Sequence, residues 1–178
     1  MRYEILRHKR IKFELSEKKM ALDRTDRQIL QLLQNDARLM NKQLAAEVGL
    51  APSSVHERVK RLWQDGVITG SETVVDPKRL GFGLAAVIFV NISKEGQVNI
   101  NELMDDLVAV PEIQNVYLVT GRYDLVVSLV ARDMDHLKAI AYHGLTERIE
   151  ITSYETSIAY EHKRSGLIPV GSDREIEQ

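Results

Sequence analysis

The chain has 178 residues, with 24 Lys and Arg against 26 Asp and Glu, no cysteine, and a net charge of -2. The absence of cysteine excludes a disulfide framework, a thiol nucleophile and a cysteine-based zinc site. No apolar run approaches the roughly 20 residues that span a bilayer, so no membrane association is expected.

Charge is distributed unevenly: +4 over residues 1–20, +1 over 21–80 and -7 over 81–178. A neutral-to-basic front and an acidic back suit a protein that meets phosphate at one end only. Residues 1–20 contain no uninterrupted apolar core and no small-residue cleavage site, which makes them a poor secretory signal. They read as a basic extension, mobile or partly helical. A start at Met20, an arm on DNA and a helix packed on a dimer also remain open.

A helix is expected over Leu22–Leu33, with Asp23 as N-cap and Asp26 at the capping-box position. Its apolar residues Ile29, Leu30 and Leu33 are placed to meet Leu44, Val48, Val55 and Val59. A second helix must end at Gly49, where the chain turns with positive φ. Pro52 suits the first turn of a third helix, because its missing N–H would have no partner there. Val55, Val59 and Leu62 form one stripe of that helix. Around the rest stand Ser53, Ser54, His56, Glu57 and Lys60, which are candidates for base edges or neighbouring phosphates. Arg58 and Arg61 are candidates for the DNA backbone or for a structural ion pair. Asp65-Gly66 and Gly70 punctuate Val67–Thr69 and Glu72–Val75, which read as a two-stranded ribbon. Three helices and a ribbon describe a winged helix-turn-helix over residues 21–76.

Residues 77–81 read as a linker, marked by Pro77 and Gly81. Beyond them the pattern becomes β-α-β-β-α-β. Strands are expected at Phe82–Ile92, Ile113–Thr120, Tyr123–Ala131 and Ile149–Tyr160. Helices are expected at Val98–Val108 and Asp133–Leu145. The fold class is α+β, with a ferredoxin-like split βαβ sandwich over residues 82–163 that carries both helices on one face. Residues 164–178 lose periodicity and read as a loose tail.

The chain resembles the Lrp/AsnC (feast/famine) transcriptional regulators across about residues 22–163. The matching segments include Asn35-Asp36-Ala37-Arg38, Leu44-Ala45 with Val48-Gly49-Leu50, Ser54-Val55 with Arg58-Val59 and Leu62, and Gly66-Val67-Ile68. They continue through Val75-Asp76-Pro77 to Thr120-Gly121-Arg122-Tyr123-Asp124-Leu125, which looks like the family's ligand-loop signature. The resemblance implies a DNA-binding head and an effector domain that binds an amino acid or similar metabolite. It also implies dimers that assemble further, commonly into octamers, with the effector pocket between dimers. Double-stranded DNA, further copies of the chain and a small amino acid are the expected partners. No cofactor beyond such an effector is expected. The expected location is cytoplasmic and nucleoid-associated.

Two positions depart from the family's pattern. Ala51 stands where Ser is usual, which removes a side-chain N-cap worth about 0.5–2 kcal/mol in other helices. Ser71 follows Gly70 where an aromatic is common.

By the same resemblance, Gly121, Arg122, Tyr123 and Asp124 contribute to the effector site, with Thr156, Ser157 and Ile158 from the last strand and Met134 lining it. Gly121 permits close backbone approach and leaves N–H groups for a carboxylate. Asp124 can accept from an α-ammonium, and Arg122 can instead pair across a dimer. Read from the residues alone, the loop is equally a plain hairpin turn, and Tyr117 and Tyr123 are packing residues.

Enzymatic motifs are missing: there is no G-x-S-x-G, H-E-x-x-H or Walker sequence. Gly81-x-Gly83-x-x-Ala86 precedes a strand and opens no helix, so it lacks the setting of a dinucleotide fingerprint. His136 and His143 share a helix face, and two solvated or interface histidines suit that spacing better than a metal site. The alternatives to a sequence-specific regulator are an architectural DNA-binding protein and a small-molecule-binding regulatory subunit of an enzyme.

Overall fold

The computed structural model describes residues 22–93 and 98–171. The basic extension and Met20 lie outside the described residues. The described residues divide into two compact units: those up to Ser71 together with those from Gly166 on, and those within Glu72–Ser165.

The first unit contains α1 (Arg24–Asn35), α2 (Asn41–Val48) and α3 (Pro52–Gln64). Asp23 caps α1, and its side chain and that of Asp26 form a reciprocal capping box. Gly49 ends α2 with φ 69°, a conformation in which a β-carbon is penalised. Ala51 precedes α3 and supplies no side-chain cap, so Pro52 at the first helical position is left to set the start. Ile29, Leu30, Leu44, Ala45, Val55 and Leu62 form the core, with Leu33, Val48, Val59 and Ile68 packed against it.

The ribbon expected after α3 does not form as a strand ladder among the described residues. The N–H groups of Val67 and Ile68 both donate to the Leu62 carbonyl, at 3.0 and 3.1 Å. The chain therefore folds back on the last turn of α3, and those donors are not free to pair with residues 72–75. Val74 and Val75 are exposed.

The described part of the expected loose tail is held in place. Gln34 Nε2 donates to the Ile168 carbonyl (3.1 Å), and the Ile168 N–H donates to Gln34 Oε1 (2.6 Å). Val170 packs against the helical core. Upstream, Arg164 pairs with Glu72 within the second unit.

The second unit contains β1 (Leu84–Ile92), α4 (Ile100–Val108), β2 (Ile113–Leu118), β3 (Leu125–Ala131), α5 (Met134–Ala141) and β4 (Ile151–Ala159). The sheet order is β2-β3-β1-β4, with every neighbouring pair antiparallel. Asn99 and Asp133 cap α4 and α5 through their side chains. β1 and β3 alternate in burial. Ala86, Ile88, Val90 and Ile92 join Leu125, Val127 and Leu129 in one core with Leu103 and Leu107 of α4 and Leu137 and Ile140 of α5. Both helices thus cover one sheet face, as strand alternation requires. The second helix is shorter than expected: it ends at Ala141 and widens into a π turn over Tyr142–Thr146.

Candidate nucleic-acid interface and effector site

α3 is held by charge on one flank and by a polar contact on the other. Asp26 is 1% exposed. Its carboxylate accepts from Arg58 Nη1 at 2.8 Å and from Arg61 Nη2 at 2.6 Å. Arg58 Nη1 also donates to Asp23 Oδ2 at 2.6 Å. Of the two roles open to Arg58 and Arg61, the structure shows the ion pair toward α1, with the Arg61 side chain still about half exposed. Burial opposes ionisation of Asp23, yet the Asp26 N–H and the Arg58 guanidinium outweigh it and hold the Asp23 carboxyl below its ordinary value. Arg58 is held more firmly protonated, chiefly by its hydrogen bond to Asp23 and then by that to Asp26.

On the opposite flank, Asn41 at the start of α2 lies 3.0 Å from His56 Nδ1 through its side-chain nitrogen. Between the two flanks, Ser53, Ser54, His56, Glu57 and Lys60 are all exposed. At 100° per residue they occupy an arc opposite Val55 and Leu62, both of which are fully buried. Sequence reasoning did not single out Asn41. The capping pattern revealed Asp26, but its grip on two arginines of another helix is a tertiary contact with no local signal.

The loop between β2 and β3 is anchored to β1 and β4. Gly121 has φ 120°, and Gly121 and Arg122 are exposed. Asp124 is half-buried: its N–H donates to the Val90 carbonyl (2.9 Å), and its Oδ2 accepts from the Ile92 N–H (2.8 Å). One carboxylate oxygen therefore ties the loop to the end of β1. Tyr123 donates through its hydroxyl to Glu155 Oε2 (2.7 Å) and packs on the Phe89 ring with centroids 5.0 Å apart. The hydrogen bond to Glu155 raises the Tyr123 pKa above its ordinary value. The Arg122 guanidinium lies 5.2 Å from the centre of the Tyr123 ring.

Within one chain the other expected effector residues do not converge on this loop. Thr156 and Ile158 pair with Ile88 and Ala86, whereas Ser157 pairs with Val87. Cross-strand partners share a face, so Ser157 faces away from Thr156 and Ile158. Met134 follows β3 and the loop precedes it. Seven residues of strand separate them, about 20 Å at the usual rise.

Residues 22–69 match a family model described as winged helix-turn-helix DNA-binding, and residues 85–168 match one described as the Lrp/AsnC ligand binding domain. The HTH-type transcriptional regulator AldR of Mycobacterium tuberculosis is 36% identical over 149 residues, covering 84% of this chain and 83% of its own. The chain belongs to the Lrp/AsnC family. Among solved structures, Escherichia coli AsnC shares 28% identity at TM-score 0.73, covering 83% of this chain and 98% of its own. A Neisseria meningitidis transcriptional regulator solved as an L-Met complex shares 26% identity at TM-score 0.77, covering 83% and 97%. This Lrp/AsnC chain is thus a DNA-binding transcriptional regulator with a ligand-binding domain.

A separate depression of about 270 Å³ in the Lrp/AsnC ligand-binding domain is lined by residues that include Glu112, His136, His143 and Arg148. None of the expected effector residues lines it. His136 Nδ1 accepts from the Arg132 N–H (3.2 Å), and its Nε2 lies 3.3 Å from Glu112 Oε1. His143 Nδ1 lies 3.1 Å from Glu147 Oε2. Both histidines are thus engaged with carboxylates. Among the described residues no group of three or more His, Cys, Asp or Glu could hold a metal ion, and no helix is long and apolar enough to cross a membrane.

Proposed function

We propose that the chain recognises specific DNA sequences through the exposed arc of α3 and responds to an α-amino acid at a site completed by a second copy. The observation that carries the DNA reading is the division of labour on α3. Asp26 engages the two arginines and fixes the helix, while Ser53, Ser54, His56, Glu57 and Lys60 remain exposed. A helix held in this way loses little freedom on entering a major groove. Its weak positive charge suits modest affinity per subunit, strengthened by oligomerisation.

The effector site would take Gly121, Arg122, Tyr123 and Asp124 from one copy and Thr156, Ile158 and Met134 from another, with Ser157 on the opposite sheet face. Asp124 has one oxygen engaged by Ile92, so its second oxygen is the acceptor offered to an ammonium. The Neisseria relative solved with L-Met supports the ligand class. The sheet face away from α4 and α5, with Val87, Phe89, Val126 and Val130 half-buried, supports a dimer. Assembly to an octamer, a cytoplasmic and nucleoid-associated location and the absence of catalysis complete the reading.

The test combines two titrations of the full chain. In salt-dependent DNA binding, Lys60→Ala lowers the slope of log K against log salt by about 0.9 if Lys60 neutralises one phosphate. In calorimetry across the amino acids, Asp124→Ala weakens whichever ligand binds. Unchanged ligand affinity in a correctly assembled Asp124→Ala oligomer would refute the effector assignment.

A further inference from the structure

We propose that Asn41 and His56 act as one unit that reads a guanine in the operator. This rests on α3 lying in the major groove, and it adds which base His56 selects and what orients it. The side-chain nitrogen of Asn41 lies 3.0 Å from His56 Nδ1. An amide nitrogen can only donate, so Nδ1 accepts, and the proton of the neutral ring is on Nε2. His56 is exposed and Asn41 is half-buried, and His56 lies on the polar arc of α3. The ring is therefore held from α2 and presents a single N–H donor.

The orientation of that donor depends on α3 not rolling about its axis. Roll is opposed on the far flank by the Arg58 and Arg61 bonds to buried Asp26. A donor fixed on both sides pays little ordering entropy when it meets a base.

A lone donor discriminates among the four major-groove edges. Guanine offers two acceptors, N7 and O6. Adenine offers N7 beside an amino donor, thymine offers O4, and cytosine presents only its N4 amino group. The Nε2–H group is best matched by guanine and opposed by cytosine. One neutral hydrogen bond amounts to roughly a three- to tenfold preference. Asn41 is a positioning residue here. Its loss loosens the ring without removing the donor.

The experiment selects binding sites from a randomised duplex with the full chain, then measures affinity for all four bases at each position. The wild-type chain is expected to favour guanine over cytosine at one position per half-site. His56→Ala should flatten that position alone, and Asn41→Ala should reduce the preference there while the other positions stay sharp. Lys60→Ala should weaken all sequences by a similar factor.

If His56→Ala leaves every position as sharp as in the wild type while Lys60→Ala weakens binding, the base assignment is overturned and the docking of α3 stands. If Asn41→Ala weakens all sequences equally, Asn41 serves the helix or the DNA backbone, and the paired reading fails. If neither Lys60→Ala, Ser54→Ala nor His56→Ala alters binding, the docking of α3 itself is wrong.

Discussion

The two units are stabilised in different ways. The ligand-binding unit buries a long apolar list, from Ala86 on β1 to Leu145 beyond α5, across a sheet and two helices. The DNA-binding unit buries only six apolar residues in its core cluster, and it contains Asp26, the one buried charged residue among those described. A small core gains little from area alone. In the helical unit the carboxylate of Asp26 adds a directional constraint that apolar packing lacks, because it sets the rotation of α3 against α1. The sheet needs no such device, since its strand ladders already fix register.

The sharpest way to break this contrast is Asp26→Ala. It removes the partner of two guanidiniums and half of the α1 capping box, and it should destabilise the DNA-binding unit by about 3 kcal/mol. Unfolding followed by the fluorescence of Trp63, the chain's one tryptophan, should shift to lower denaturant. The sheet transition followed by circular dichroism should stay in place. Equal shifts in both signals would mean that the units do not unfold separately.

Truncation after Ser165 is the next test. It removes Val170 from the helical core and both hydrogen bonds to Gln34. A loss of about 1–2 kcal/mol is expected in the Trp63 transition alone, and Gln34→Ala should reproduce part of it. Ala51→Ser works in the opposite direction. By restoring a side-chain N-cap to α3 it should raise the same transition by about 0.5–1 kcal/mol.

The pH responses should also diverge, with smaller effects. The folded-state pKa of Asp23 lies below 3.8, and that of Asp36 is lowered by the hydrogen bond from Arg38. Their contribution is complete above the unfolded value and is lost as pH falls below it, so acid should loosen the DNA-binding unit. Tyr123 has a folded-state pKa raised above 10.0. Its contribution is present below pH 10 and is lost as pH rises through the folded value, so alkali should loosen the loop between β2 and β3. NMR signals of Trp63 and Tyr123 across pH would report each change separately.

Much of the fold was legible because it rests on local rules. Asp23, Gly49, Pro52 and Asp133 each mark an element end through a mechanism that acts within a few residues. The strand alternation of β1 and β3 identifies the covered face directly. The errors occur where a partner is distant. Val67 and Ile68 have strand-like side chains, but their N–H groups are taken by Leu62, which no periodicity reveals. The two-residue period of a strand separates Ser157 from Thr156 and Ile158, a division of faces that the sequence already carries. The break at the π turn had only Gly144 as a weak signal. The Asn41–His56 contact spans two helices and carries no spacing signature. The Gln34 and Val170 contacts of residues 166–171 form a pattern too short to register.

The docking of Val170 also has a consequence in time. During synthesis α1, α2 and α3 leave the ribosome before the ligand-binding unit, while the segment that completes their packing leaves after it. The DNA-binding unit therefore reaches its final form only once the ligand-binding unit has been made. Cleavage between Ser165 and Val170 would in turn act on the packing of α1, α2 and α3.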